Sequence, residues 1–451
     1  MRELMEMPTT PTQPAPARDP RRELLAGIFR ALNASGAPWC IVHGYDKFAD
    51  HIPTDIDCLI GRDLPPQKLA KLLKAHEVEL NASVVQWLSD GAQWIVLATN
   101  DPVPTILQLH VAYDYELAGR VIFDGAEILE ARQRHEDSWI ASPVMEFACV
   151  LANRVVKGNL DEHRRQRLAR LFEQDVQGCS RQIAHLLDPD GTRIVSMAIR
   201  TGRWDEVLGQ IESLRDGLLN RKRRSSVVGH WARRIKRWIA PDCGLHVVFL
   251  GPDGVGKSTV IDAVKEHLSD AFLRTDYFTF APSLIPQKLQ PEKKTPHQLP
   301  PRSYPASLLK AAWWSVCYTV GYQLTVRPAK ARASFVMNHR YLLDAMVDRK
   351  RYRYSGPQWL LKALWTISPK PDLIVLLDAD PKIIWERKKE VALEETIRQR
   401  DEYRALIEPL KFSRIVEASQ PIEKVVGEVD RIVLDLLANR VAKRFGLEGS
   451  V

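Results

Sequence analysis

The sequence predicts an α/β protein. Its C-terminal half reads as a parallel sheet with helices on both faces, preceded by an α+β domain and a helical middle region. Three observations predict this. After residue 244 short apolar runs alternate with helical stretches, as in a parallel sheet with crossover helices. Residues 39–115 hold several short strand-like runs around one helix, and residues 143–219 are helical throughout. At 451 residues with 45% hydrophobic side chains the chain is long enough for two or three cored domains and is not a disordered protein.

Residues 1–22 carry Pro8, Pro11, Pro14, Pro16 and Pro20 among charges and lack the apolar core of a signal peptide, so they read as a disordered tail. The first domain is expected over 23–142. Its strands are Trp39–His43, Asp55–Ile60, Ser83–Leu88, Trp94–Thr99 and Ile106–Tyr113, with Pro65–His76 as the helix. The helical region follows over 143–219, and its charged segment Asp161–Arg170 is expected on an exposed face. A basic linker spans 220–243. The last domain, 244–451, has strands at His246–Leu250, Leu273–Phe278, Ser334–Asn338, Leu373–Leu377 and Arg414–Glu417. No internal repeat is visible.

The net charge of +8 has a local origin. Arg221, Lys222, Arg223, Arg224, Arg233, Arg234, Lys236 and Arg237 have no acid between them, and Trp231, Ile235, Trp238 and Ile239 fall on one helical face. That pattern suits a peripheral contact of 221–239 with an anionic membrane or packing against the next domain, and a solvated linker is the reading preferred. The uncharged stretch Ala311–Val326 is shorter than the roughly 20 residues of a membrane span and is expected as a buried helix. Cys40, Cys58, Cys149, Cys179, Cys243 and Cys317 include no close pair, which excludes a disulfide framework and points to the cytoplasm. The charge is confined to one linker without a reading motif, so no nucleic-acid partner is expected.

Residues 251–258 read Gly-Pro-Asp-Gly-Val-Gly-Lys-Ser between an apolar strand and a helix at Val260–Leu268. This is the phosphate-binding loop pattern in its required strand-turn-helix context. Gly251, Gly254 and Gly256 allow backbone N–H groups to turn toward phosphate oxygens, with Val255 between them and Thr259 in the first helical turn. Lys257 is placed to reach the terminal phosphates of ATP, and Ser258 to ligate Mg²⁺.

From Gly244 onward the chain resembles the thymidylate-kinase-like branch of P-loop nucleotide kinases. Asn338-His339-Arg340-Tyr341 stands where that family has Asp-Arg-Tyr, so the resemblance assigns Arg340 to the acceptor phosphate, and its planar fork suits that task. His339 replaces an Asp, which departs from the pattern for a thymidylate acceptor and for the usual magnesium network. Asp253 matches the family's loop carboxylate and is a candidate for orienting the acceptor hydroxyl or a water. Asp378, at the end of the run Pro371–Pro381, reads as a helix cap rather than a metal ligand. Arg387, Lys388, Lys389, Arg398 and Arg400 match the mobile lid, and Arg387 and Arg398 are the first choices for the transferring phosphoryl group. The interval Phe280–Lys330, with Trp313-Trp314, exceeds a minimal nucleotide kinase and is a place for a different acceptor pocket.

His43-Gly44-Tyr45 followed by Asp55-Ile56-Asp57 resembles the nucleotidyltransferase fold, in which a glycine turn precedes an Asp-x-Asp strand. Two carboxylates two residues apart on a strand share one face, as a metal site requires. The resemblance places a third carboxylate near Gln108 or His110, and neither is acidic. A degenerate, ligand-sensing or structural domain is the reading preferred over an active transferase. Lys157 is a further candidate for touching a triphosphate. The combined expectation is an ATP- and Mg²⁺-dependent phosphotransferase acting on a nucleotide or another small, sugar-related acceptor. The alternatives are a bifunctional nucleotidyltransferase and kinase, or a nucleotide-binding sensor or scaffold; the acceptor and the oligomeric state are not legible.

Overall fold

A computed structural model describes residues 19–48, 50–90, 92–224, 243–282, 299–389 and 391–448. In the C-terminal half five parallel strands lie in the order Arg274–Thr279, Ser334–His339, Leu245–Leu250, Leu373–Asp378, Ser413–Glu417. Each is within a residue of its predicted bounds. The central strand is buried along its whole length and feeds both layers. Leu245, Val247 and Phe249 enter one core cluster, while Val248 and Leu250 enter the cluster on the opposite face, which is the period-2 signature of a strand covered twice. Its C-terminal end lies where the strand order reverses, the position at which open α/β sheets bind ligands.

The first domain holds a seven-stranded mixed sheet. Asp55–Ile60 pairs antiparallel with Trp39–Ile41 and parallel with Ile106–Ala112. Sequence periodicity finds the long strands but misses the short pair Gln133–His135 and Ser138–Ile140, whose three residues each are too few to show a period. It also misses the opening helix Pro20–Ala34. Residues 20–22 belong to this helix and not to a tail: Asp19 accepts from the Arg21 N–H and Pro20 occupies the first helical position, where a missing N–H costs nothing. The helix Pro143–Lys157 opens a run of helices, and the last of them runs to Arg221. Arg223 and Arg224 then pair with Val121 and Arg120, so the run starts inside the fold. The remainder of the proposed linker, including the apolar face at 231–239, lies outside the described residues.

The two sheets share one core. Trp94, Val96 and Ala98 project from one face of the first sheet into the cluster that also contains Val260, Ile261 and Val264 of the helix Lys257–Leu268. Ile95 and Leu97 point the other way, under the opening helix. The final helix, Ile422–Phe445, contributes Val425, Val429, Val433 and Leu437 to the shared core, and its last turn clasps the first domain. There the Phe445 ring lies 4.6 Å from Trp87, and Arg444 donates to the Trp87 carbonyl at 2.6 Å. Cys243 also points at that carbonyl.

A charge at Val96, fully buried between the domains, is therefore expected to unfold both halves together. Differential scanning calorimetry of Val96→Asp should show the whole transition lowered. Loss of one transition while a second stays at its wild-type temperature would contradict the shared core.

Candidate functional site

The loop after Leu250 turns through three glycines at positive φ, 142° at Gly251, 94° at Gly254 and 103° at Gly256. At Gly251 a Cβ would stand 2.5 Å from the Leu377 carbonyl oxygen, so only glycine lets the loop pass the neighbouring strand. The helix begins at Lys257, and the N–H groups of Lys257, Ser258 and Thr259 have no helical carbonyl to bond. Ser258 and Thr259 are exposed at the mouth, while Val255 is buried beneath it. Lys257 is also buried, its ammonium folded back to donate to the carbonyls of Gly251 at 2.6 Å and Pro252 at 2.8 Å. Burial pushes its pKa down to about 8.

Asp253 stands at the centre of the mouth. It is 3.7 Å from Lys257, and Arg340 and Arg351 each donate to one of its carboxylate oxygens. Arg340 has φ of 73°, a left-handed conformation that a side-chain-bearing residue adopts only under constraint. Its N–H is held by the Phe249 carbonyl at 3.0 Å. Behind it the buried Asp344 lies 3.4 Å from the Arg340 Nε, and it accepts from the Tyr352 hydroxyl at 2.6 Å and from the Tyr403 hydroxyl. Burial, with the Asp344 carboxylate adding to it, holds both phenols protonated as donors. Phe280 covers Tyr352 with ring centroids 4.4 Å apart and meets Trp314 at 5.0 Å. The long interval thus builds an aromatic wall next to the arginine pair. His339 is held neutral by burial and by the cations Lys257 and Arg340, with its pKa lowered to about 3.

On the other side a cavity of about 570 Å³ is lined by Gly254, Gly256, Thr259, Arg387 and Ser419. Arg387 alone of the two leading lid arginines reaches it, donating to the Ala418 carbonyl at 3.3 Å. Arg398 is bound by Glu395 and Glu402 of its own helix and by the Val347 carbonyl. Asp378 is not a helix cap: Asp380 caps the helix Pro381–Arg387 by accepting from the Lys382 N–H, and Asp378 is clasped by Arg400 and Arg404 at 2.8 Å each. As the last residue of its strand it faces the helix Leu393–Ile407 rather than the turn.

Residues 249–429 match the thymidylate kinase family model. The C-terminal half contains a thymidylate-kinase-like domain. It is similar to the thymidylate kinase of Bifidobacterium longum subsp. infantis, 27% identical over 211 residues that cover 44% of this chain and 90% of the relative. It is likewise similar to the thymidylate kinase of Haemophilus ducreyi, 26% identical over 213 residues, 43% of this chain and 95% of the relative. The domain is a P-loop phosphotransferase that uses ATP and Mg²⁺. The donor set fits that metal: Ser258 offers one exposed hydroxyl, and Mg²⁺ takes most of its shell from phosphates and water. The ion would neutralise charge developing on the phosphoryl oxygens.

Arg351, Asp344, Tyr352 and Tyr403 escaped the sequence reading. Asp344 had a signal, since it lies four residues after Arg340 in an ion-pair spacing. Arg351 sits in the run Arg349-Lys350-Arg351, where nothing separates it from its neighbours.

The first domain has a cleft of its own, about 200 Å³, with Asp55 and Asp57 on its floor. Arg154, His163, Arg164 and Arg167 come from the helices Pro143–Lys157 and Glu162–Gln174 and form a basic wall. Lys157 is exposed and lies one turn beyond Arg154, which lines the cleft in its place. Arg167 is not on a solvated face: it is paired at 2.7 Å with the buried Glu146, which also accepts from the Tyr45 hydroxyl at 2.7 Å. His43 approaches Asp57 at 3.5 Å. Gln108 and His110 stand in register with Asp55 and Asp57, where a third carboxylate was sought. Gln108 is committed elsewhere: its amide donates to the Asp270 carbonyl at 2.7 Å and accepts from the Trp94 indole at 3.1 Å. Among the described residues no group of three His, Cys, Asp or Glu side chains is arranged to hold a metal.

Lys257 must be charged to meet phosphate. With a pKa lowered to about 8 it is charged below that pH, so kcat/KM for ATP should fall above about pH 8. At saturating ATP the bound phosphates stabilise the ammonium, and kcat should keep its plateau to higher pH. Steady-state rates from pH 6 to 10 test this, and coincident pH profiles for the two parameters would contradict it. Lys257→Ala should lower turnover by orders of magnitude with an unchanged fold.

Proposed function

We propose that the protein transfers the γ-phosphoryl group of ATP to a small anionic acceptor, a nucleotide or a phosphorylated sugar, held by Arg340 and Arg351. The observation that carries this reading is the pair of arginines closing on Asp253 at the mouth of the phosphate loop. Without an acceptor the carboxylate satisfies both guanidinium groups. An acceptor phosphate would take their outer N–H groups bidentately and free Asp253 to accept a hydrogen bond from an acceptor hydroxyl or a water. Lys257 would swing from its two loop carbonyls to the β- and γ-phosphates, exchanging neutral acceptors for charged ones, and Arg387 would face the donor nucleotide from the lid. The neutral His339 and the Asp344 group distinguish this pocket from the Asp-Arg-Tyr pattern, so the acceptor is expected to differ from thymidylate.

A second reading is supported by the first domain's cleft, where a two-carboxylate floor faces a basic wall suited to a triphosphate. It is a nucleotidyltransferase-like site for a metal-bound nucleotide, separate from the kinase reaction. Two carboxylates leave a hard cation short of protein oxygens, so binding there should require the nucleotide's own phosphates.

Screening nucleoside monophosphates, sugars and phosphorylated sugars for ATP-dependent phosphorylation identifies the acceptor. With that acceptor, Arg340→Ala and Arg351→Ala should each raise its KM at least tenfold and change the KM for ATP far less. Equal effects on both substrates would move the arginines to the donor side. Asp55→Asn combined with Asp57→Asn should leave the kinase rate within about twofold; a loss comparable to that of Lys257→Ala would place the chemistry in the first domain.

A further inference from the structure

We infer that Asn338, oriented by the buried His246, is a positioning residue for the acceptor site: it fixes Phe280, and through Phe280 the group that backs Arg340. The inference rests on the reading that Arg340 and Arg351 hold the acceptor. Phe280 follows the strand Arg274–Thr279 and has φ of 70°, a left-handed conformation that a phenylalanine keeps only where its surroundings enforce it. Three hydrogen bonds do so. Its N–H donates to the His339 carbonyl at 3.0 Å, and its carbonyl accepts from the Tyr318 hydroxyl at 2.8 Å and from the Asn338 amide at 3.2 Å. Held in this way the ring lies on Tyr352, whose hydroxyl donates to Asp344, and Asp344 stands 3.4 Å behind the Arg340 Nε. Tyr318 and Trp314, which flank the ring, come from the helix that runs through Tyr304–Val316 and Cys317–Val326. Both are buried, whereas Leu309, Trp313 and Leu324 of the same helix are exposed, so the expectation of a buried helix holds for its inner side only.

The direction of the Asn338 amide is set from its other end. His246, on the central strand, is fully buried, with its Nε2 2.9 Å from the Asn338 Oδ1. Because the Asn338 Nδ2 donates to Phe280, its Oδ1 is the accepting end, so the imidazole carries its proton on Nε2. Burial lowers the His246 pKa to about 4, which keeps the ring neutral in that role. Its Nδ1 is then a bare acceptor, and among the described residues nothing donates to it. A buried acceptor without a donor is unfavourable, and an apolar pair would fill the space between the strands without that cost. What the polar pair supplies is direction. Without the His246 donor the amide would be free to turn its oxygen toward the Phe280 carbonyl, and the two acceptors would repel.

The test is steady-state phosphorylation by the full chain, with ATP and a panel of nucleoside 5′-monophosphates and hexose phosphates, followed on the best acceptor of that panel. Asn338→Leu should raise the KM of that acceptor at least tenfold and leave the KM for ATP within about twofold. His246→Leu should do the same, while His246→Gln, whose amide N–H reaches the position of the imidazole Nε2, should restore the wild-type value. If thermal melting shows that Asn338→Leu does not fold, Asn338→Asp keeps the volume, accepts from His246 and lacks only the donor to Phe280, and the same split is expected. In a Phe280→Leu background Asn338→Leu should add less than about twofold, because both changes act through one ring. Equal losses toward both substrates, no rescue by His246→Gln, or additive effects in the Phe280→Leu background would reduce the pair to structural support and overturn the inference. Unchanged acceptor KM in an active Asn338→Leu chain would overturn it alone. A wild-type chain that phosphorylates no member of the panel would sink the acceptor reading and this inference with it.

Discussion

The packing of the phosphate-loop helix between two sheets is the constraint on which the rest depends. Val260, Ile261 and Val264 are held on one side by the strand that launches the loop and on the other by Trp94 and Val96 of the first domain. The loop's own geometry is held as tightly, since Gly251 passes the Leu377 carbonyl at a distance no side chain tolerates. A phosphate site works by fixed N–H directions, and both restraints act to fix them. The far end of the same helix is tied down by His267, whose ring nitrogen is 2.7 Å from the Asp430 carboxylate on the final helix.

That junction also explains why Gln108, in register with Asp55, is an amide and not a carboxylate. The sheet face that bears Asp55 and Asp57 continues sideways into the contact with the kinase-like domain, and Gln108 lies on that face beside Asp55. An amide there donates to the Asp270 carbonyl and accepts from Trp94 at once, which a carboxylate cannot do because it has no N–H. The position was committed to joining the domains. The cleft keeps a basic wall, with Arg167 locked by Glu146 and Tyr45.

The mouth beside the phosphate loop and the strand end at Asp378 are organised by carboxylates that neutralise arginines. Asp253 holds Arg340 and Arg351, Asp344 backs Arg340, and Asp378 holds Arg400 and Arg404 near the lid. An unpaired guanidinium in a partly buried position is strongly destabilising, so each has a carboxylate partner. Left-handed backbone at Arg340 adds strain where it sets the direction of the fork.

The features legible in the sequence are those whose causes are local. Glycine spacing between a β-branched strand and a helix dictates a phosphate loop, and the runs at Asp55–Ile60 and Leu373–Asp378 are strands because alternation and apolar content act over a few residues. Asp380 could have been recognised over Asp378 by its place directly before Pro381 at the helix start. Tertiary structure alone decided the pairings between distant residues: Asp253 with Arg351, Asp344 with Tyr403, Gln108 with Asp270, Arg167 with Glu146. Ion pairs and buried hydrogen bonds choose partners by spatial proximity and desolvation, not by chain separation. It also took the packed structure to show that the helix from Tyr304 has a covered side and an uncovered one, since its sequence is apolar on both.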